Sequence, residues 1–202
     1  MARTVDPQRA AERRHAITLA AAELFAAHGF ERTTAAQIAA AAGLSSGSVF
    51  YYFQDKAAVF RSIFELSIPE HAALVAEHID RTDCLGAILD IAEALAAESL
   101  DVAAPGFMFE LLRRLGHDQE LAIMVVEDAR LSAQALTTLI ERGAAARQFD
   151  PGFPAAETAR WILAVVDAAF LNADPAETDR DPRPLVRATI SRLLRPTPME
   201  DR

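Results

Sequence analysis

A chain of 202 residues, 51% of them apolar and 24% charged, is long enough for one well-filled core plus a small satellite domain, and too apolar to be a disordered segment. A single cysteine, Cys84, rules out an internal disulfide and fits a reducing compartment, and no run of about 18 uninterrupted apolar residues offers a membrane span. The net charge of −9 argues against nucleic acid, but it is uneven: residues 1–56 hold six basic and five acidic side chains, the remainder 14 and 24.

The first fifteen residues contain no apolar signal core, which predicts a cytoplasmic protein. Sparse glycine, abundant alanine and the lack of alternating β-branched runs predict an all-α fold. Ile17, Ala21, Leu24, Phe25 and His28 recur at three- and four-residue spacing and predict a helix over about 8–28. Gly29 is expected to stop it in a Schellman ending, with Phe30 closing on Phe25. Thr34 to Gln37 reads as a capping box opening a second helix, which buries Ile38, Ala39 and Ala42 and ends at Gly43. Ser45 is placed to cap a third helix, so residues 34–53 read as a helix-turn-helix. Asp55 should cap a fourth helix through Val59, Phe60, Ile63, Phe64 and Ser67, with a kink or break at Pro69. Pro105, Pro154 and Pro184 at first helical positions and Gly116 as a stop predict further helices at about 83–100, 105–115, 119–147, 154–172 and 184–195. Residues 173–183 read as a polar loop and 196–202 as a fraying tail.

The run Phe50-Tyr51-Tyr52-Phe53 cannot be hidden on one helix face. At about 100° per residue, Val49, Phe50 and Phe53 share an inner face towards Leu24, Ile38 and Leu44, while Ser48 and Tyr51 point outward and Tyr52 flanks them. The small residues Ser46, Gly47 and Ser48 would let the helix start approach a groove closely. The tyrosine hydroxyls suit phosphate or base edges, and Lys56 adds a point charge. The same tyrosines could instead merely cover neighbouring apolar surface.

Three stretches within residues 18–60 carry a family resemblance: Phe25-x-x-x-Gly29-Phe30, Thr34-x-x-x-Ile38-Ala39-x-x-Ala42-Gly43-Leu44-Ser45, and Gly47-Ser48-Val49-Phe50-Tyr51-x-Phe53-x-x-Lys56. They resemble the N-terminal domain of TetR-family transcriptional regulators. The resemblance implies a DNA-binding domain over residues 1–55 and an all-helical ligand-binding and dimerisation domain over 56–202. It places Thr34 and Gln37 near the DNA backbone, although Gln37 serves equally as half of the capping box. Ser46, Gly47 and Ser48 would line the reading end of the recognition helix, Tyr51 and Tyr52 would be its main contacts, and Lys56 would grip phosphate. Phe50 and Tyr52 depart from the tyrosine and histidine frequent at these positions.

The resemblance further implies a homodimer on a palindromic double-stranded operator, formed through the last two helices and released by a small-molecule effector, with repression as the default. The segment from Trp161 to Leu171 is apolar almost all round and so must be buried on two sides. Trp161, Val165, Asp167, Ala169 and Leu193 are the interface candidates, Asp167 as a hydrogen-bonded polar group. Phe64, Phe107, Met108, Phe109, Leu112, Met124, Val125 and Trp161 are the candidate lining of an apolar effector pocket, each equally readable as core. Pro69 is either a hinge for induction or a passive kink. No cofactor, metal site or enzymatic activity is expected: one Glu-x-x-His pair, Glu12 to His15, falls on a polar segment, and no nucleophile elbow or phosphate loop is present. The alternative is a helical small-molecule or partner-binding protein whose helix-turn-helix does not read DNA.

Overall fold

The computed structural model describes residues 6–45, 47–174 and 180–196. Among them the chain forms nine α-helices and no β-strand: α1 (Pro7–His28), α2 (Ala35–Ala41), α3 (Val49–Tyr52), α4 (Lys56–His78), α5 (Cys84–Ala97), α6 (Ala104–Leu115), α7 (Gln119–Ala145), α8 (Ala155–Leu171) and α9 (Arg183–Leu194), with a 3-10 turn at Glu98–Leu100. The fold is all-α. The helices form two compact units, Met1–Ser67 with Gly106–Met124, and Ile68–Pro105 with Val125–Arg202.

The first unit follows the sequence pattern closely. Asp6 caps α1 by accepting the Gln8 N–H at 3.1 Å, and Pro7 fills a first-turn position that needs no donor. Ile17, Ala21 and Phe25 from α1 meet Ile38, Ala39, Val49 and Phe53 in the core. Phe25 lies 5.3 Å from both Phe30 and Phe60, and Phe60 lies 5.1 Å from Phe107. Such ring pairs contribute roughly 0.5–1.5 kcal/mol each beyond their area. A Cβ on Gly106 would fall 2.5 Å from the Ala26 carbonyl, so α6 rests on the backbone of α1.

The second unit packs α5, α8 and α9 together, with Ile88, Ile91, Leu139, Ile140, Ile162 and Ile190 at its centre. Gln148 joins the ends of this core. Its side-chain oxygen accepts the Cys84 and Leu85 amides at 2.9 and 3.2 Å, satisfying donors that the start of α5 leaves free.

Three local expectations are corrected. Helix α4 does not break at Pro69 but runs on to His78 with the proline inside it. An interior proline costs about 3 kcal/mol, so packing along the rest of the helix outweighs the lost bond. Gly29 has φ 80° but ψ 158°, so the chain leaves α1 extended, although Phe30 still stacks on Phe25. The Schellman bonds form instead at Gly43, with φ 66°, through Leu44 N–H to Ala39 O at 2.8 Å and Gly43 N–H to Ala40 O at 3.1 Å. Ser45 does not cap α3: its hydroxyl pairs with that of Ser48 at 2.7 Å, and Ser48 occupies the cap position. Asp55 does cap α4, accepting the Ala58 N–H at 2.7 Å.

Within the second unit, His71 on α4 lies between two carboxylates, with Nδ1 3.2 Å from Asp128 and Nε2 3.0 Å from Glu98. The hydrogen bonds to Asp128 and then Glu98 outweigh burial and push its pKa up to about 10. The protonated ring donates at both nitrogens. Because the folded value lies above the unfolded 6.5, the stabilisation is full below about pH 6.5 and disappears as pH rises through 10. Denaturant titrations from pH 6 to 10.5 are expected to show the advantage of the wild type over His71→Gln shrinking steadily and vanishing at the alkaline end.

Candidate nucleic-acid interface and effector cavity

The helix-turn-helix is assembled from local bonds. Thr34 and Gln37 form the capping box: Thr34 Oγ1 accepts the Gln37 N–H at 3.3 Å, and Gln37 Oε1 accepts the Thr34 N–H at 2.8 Å. Both side chains are exposed. The Gln37 amide oxygen is therefore used by the cap, while its NH2 group has no partner among the described residues. The two readings of Gln37 are compatible.

Helix α3 has only four residues. Val49 is fully buried, and Phe53 reaches the core because the chain turns extended there, with φ −133° and ψ 139°. That change of direction corrects the wheel argument. Phe50 is not on an inner face with Phe53 but is 57% exposed beside Tyr51 at 66%. Tyr52 is half-buried and packs edge-on against Tyr51 at 5.0 Å. Gly47 is exposed and Ser48 half-buried ahead of them; Ser46 lies outside the described residues.

Lys56 stands apart from its expected role. Its ammonium donates to the carbonyls of Phe30 at 2.7 Å, Thr33 at 3.0 Å and Glu31 at 3.4 Å, and lies 4.3 Å from the Phe30 ring centre. Three donors meet three carbonyls, so the charge is committed to the turn between α1 and α2 rather than left for phosphate. The turn has a second anchor in Glu110, whose buried carboxylate accepts the Phe30 N–H at 2.9 Å. Arg14 completes the set: it donates to the Tyr52 carbonyl at 3.1 Å and lies over the Phe53 ring at 4.1 Å. Sequence reasoning missed Glu110 and Arg14. Arg14 is three residues before the core residue Ile17, a spacing that places it on the same side of α1 but does not say which carbonyl it meets.

In the second unit a cavity of about 310 Å³ is walled chiefly by Leu100, Val102, Pro105, Val165, Ala169 and Leu185, with Asn172 and Thr189 among its polar edges. The residues expected to line a pocket are elsewhere. Phe64 and Phe107 belong to the aromatic cluster around Phe60, Phe109 and Leu112 are more than half exposed, and Met108, Met124 and Val125 are half-buried away from this cavity. Those candidates rested on apolarity alone, which does not distinguish a filled core from a hollow one. Trp161 is 61% exposed and borders a groove of about 270 Å³ with Phe153, Glu157, Thr158 and Leu193. Along α8, Thr158, Ala159, Ile162 and Val166 are buried, while Trp161, Ala164, Asp167 and Leu171 form an exposed stripe. Although Asp167 as a whole residue is exposed, desolvation of its carboxyl by the surrounding protein pushes that group's pKa above its usual range. Val165 and Ala169, expected at a subunit interface, face the cavity.

Among the described residues no helix is long and apolar enough to cross a membrane, and no cluster of three or more His, Cys, Asp or Glu side chains could hold a metal ion. Lys56→Met is expected to lower unfolding stability by about 2 kcal/mol, the value of charge-assisted bonds to the turn, while leaving the salt dependence of any DNA binding unchanged. Denaturant titration and affinity measured across a salt series check the two halves.

Residues 17–63 match the family described as "Bacterial regulatory proteins, tetR family". The chain is 27% identical over 165 residues to the uncharacterized HTH-type transcriptional regulator YfiR of Bacillus subtilis (strain 168), covering 80% of each. It is 29% identical over 173 residues to the HTH-type transcriptional repressor BepR of Brucella suis biovar 1 (strain 1330), covering 81% of this chain and 80% of BepR. The fold matches that of the fatty acid degradation regulator FadR from Bacillus halodurans with a TM-score of 0.77 at 20% identity, over 95% of this chain and 97% of FadR. The helix-turn-helix within residues 17–63 thus matches the TetR family's regulatory-protein domain, and over most of its length the chain is similar to HTH-type transcriptional regulators.

Proposed function

We propose that the chain is a homodimeric repressor that binds a palindromic operator through α2 and α3 and is released by a small apolar molecule held in its second unit. The observation that carries the DNA-reading half is the exposed pair Phe50 and Tyr51 on a helix whose neighbours Val49 and Phe53 are buried. A core helix has no use for two large rings in solvent, whereas a groove-reading helix does. Tyr51, Tyr52, Gly47 and Ser48 are the proposed contacts, joined by Ser46, with Thr34 and the free NH2 of Gln37 at the backbone. Lys56 is left to the turn.

The exposed stripe of α8 supports the homodimer. Trp161 and Leu171 are rings and branches that a second copy would cover, and Leu193 borders the groove beside Trp161. Asp167 in that stripe would then need a partner across the two-fold axis. The cavity of about 310 Å³ is at the small end of ligand pockets, with an apolar wall and polar lining residues that include Asp101, Asn172, Arg180 and Asp181. A compact apolar effector that binds better to a conformer with weakened DNA affinity would release the operator by population shift. The name of the relative BepR favours repression over activation. A division of labour near residue 55 follows from this reading.

Selection of duplexes from a random-sequence library with the purified protein tests the proposal. The enriched sequences are expected to carry two-fold-related half-sites one helical turn, about 34–36 Å, apart. Tyr51→Ala is expected to weaken their binding by about 1–3 kcal/mol, and Trp161→Asp to shift the protein from dimer to monomer in sedimentation. A folded dimer that enriches no duplex would favour the alternative of a helical ligand-binding protein that does not read DNA.

A further inference from the structure

Helix α3 has no side-chain cap at its start, and at its end the Phe53 N–H returns to Val49 O at 2.9 Å. The last carbonyls of a helix lack intrahelical donors, and a cation near them is favourable. Arg14 on α1 supplies that cation. One arm of its guanidinium, Nη1, donates to the Tyr52 carbonyl at 3.1 Å. The other arm, Nη2, donates to the Glu65 carboxylate on α4 at 2.6 Å. Its central carbon lies over the Phe53 ring, 4.1 Å from the ring centre. One planar group thus ties α1 and α4 to the residue that ends α3.

We propose that Arg14 is a positioning residue for DNA reading: it holds the end of α3, and with it the direction of Tyr51, without itself touching DNA. The inference rests on the DNA-binding reading above. The Arg14 and Glu65 side chains are 41% and 48% exposed. An ion pair so placed adds little to global stability, which points to orientation rather than folding as its use. The fork also suits arginine: its two arms reach the carbonyl and the carboxylate from separate nitrogens, whereas a lysine would have to gather all of these contacts at one nitrogen. Glu65 has a role in the arrangement, because it fixes the second arm and stops the guanidinium from swinging towards solvent.

The competing account is that Arg14 is an ordinary phosphate contact, and the two differ in sign. Binding of the duplex selected by the wild-type protein is measured over a salt series for wild type, Arg14→Ala, Arg14→Lys and Glu65→Ala, beside a non-specific duplex. Amide hydrogen exchange is followed on the free proteins. Positioning predicts that Arg14→Ala weakens the selected duplex about tenfold, the loss of roughly one charge-assisted bond, with the non-specific affinity and the salt slope unchanged. Arg14→Lys restores little of it. Glu65→Ala also weakens binding, although it removes a negative charge. In Arg14→Ala the Phe53 amide exchanges faster.

A salt slope lowered by about one, with specific and non-specific binding weakened equally, would make Arg14 a phosphate ligand and overturn the proposal. Tighter binding by Glu65→Ala would overturn it as well. A wild type that enriches no duplex would refute the DNA-binding reading itself. The exchange comparison needs no DNA and still decides whether Arg14 holds α3, with unchanged exchange at Phe53 refuting that hold.

Discussion

A helix of four residues has no stability of its own. Fixing its first turn costs more backbone entropy than its few hydrogen bonds return, so α3 exists only because its surroundings hold it. Val49 and Phe53 pin it from below, at 0% and 3% exposure. The Schellman ending at Gly43 sets the direction in which the chain leaves α2. The Lys56 ammonium and the Glu110 carboxylate fix the turn that delivers α2, one through carbonyls and the other through an amide. The first unit is therefore best understood as a frame for a very short reading element, built from bonds at the ends of helices more than from the helices themselves.

Two side-chain caps were the most legible of the helix ends, while the local readings of Gly29 and Ser45 failed. The Thr34–Gln37 box and the Asp55 cap need only residues three positions apart, and both formed. The helical period of α1 likewise carried through to buried Ile17, Ala21 and Phe25. What failed depended on the third dimension. The wheel assigned Phe50 inward because it assumed α3 continued to Phe53, and one extended residue reversed that assignment. Pro69 was read by its local penalty, which packing along a 23-residue helix overrode. Lys56 was read as a free charge, yet its partners are carbonyls 23 to 26 residues earlier, a distance no local pattern encodes. The cavity was missed because hollowness is a property of facing helices, and the apolar residues on either side of it look like any others.

Charge is handled differently along the chain. In the second unit several arginines are paired with acids of the same unit: Arg187 meets Glu93 at 2.7 Å and Asp90 at 3.2 Å, and Arg81 meets Asp90 at 2.6 Å. Such surface pairs add little stability individually, and residues 57–202 keep an acidic excess. A polyanion is repelled by that excess and meets a nearly neutral first quarter. An acidic body thus discourages non-specific adhesion and leaves approach through the N-terminal quarter as the least unfavourable one.

The separation of Val49 and Phe53 from Phe50 and Tyr51 has an evolutionary consequence. The two exposed rings contribute almost nothing to the packed interior, so either can be exchanged without disturbing the residues that keep α3 in place. A duplicated copy of the gene could drift to new targets by changes at these two positions alone, with stability imposing little restraint on the path.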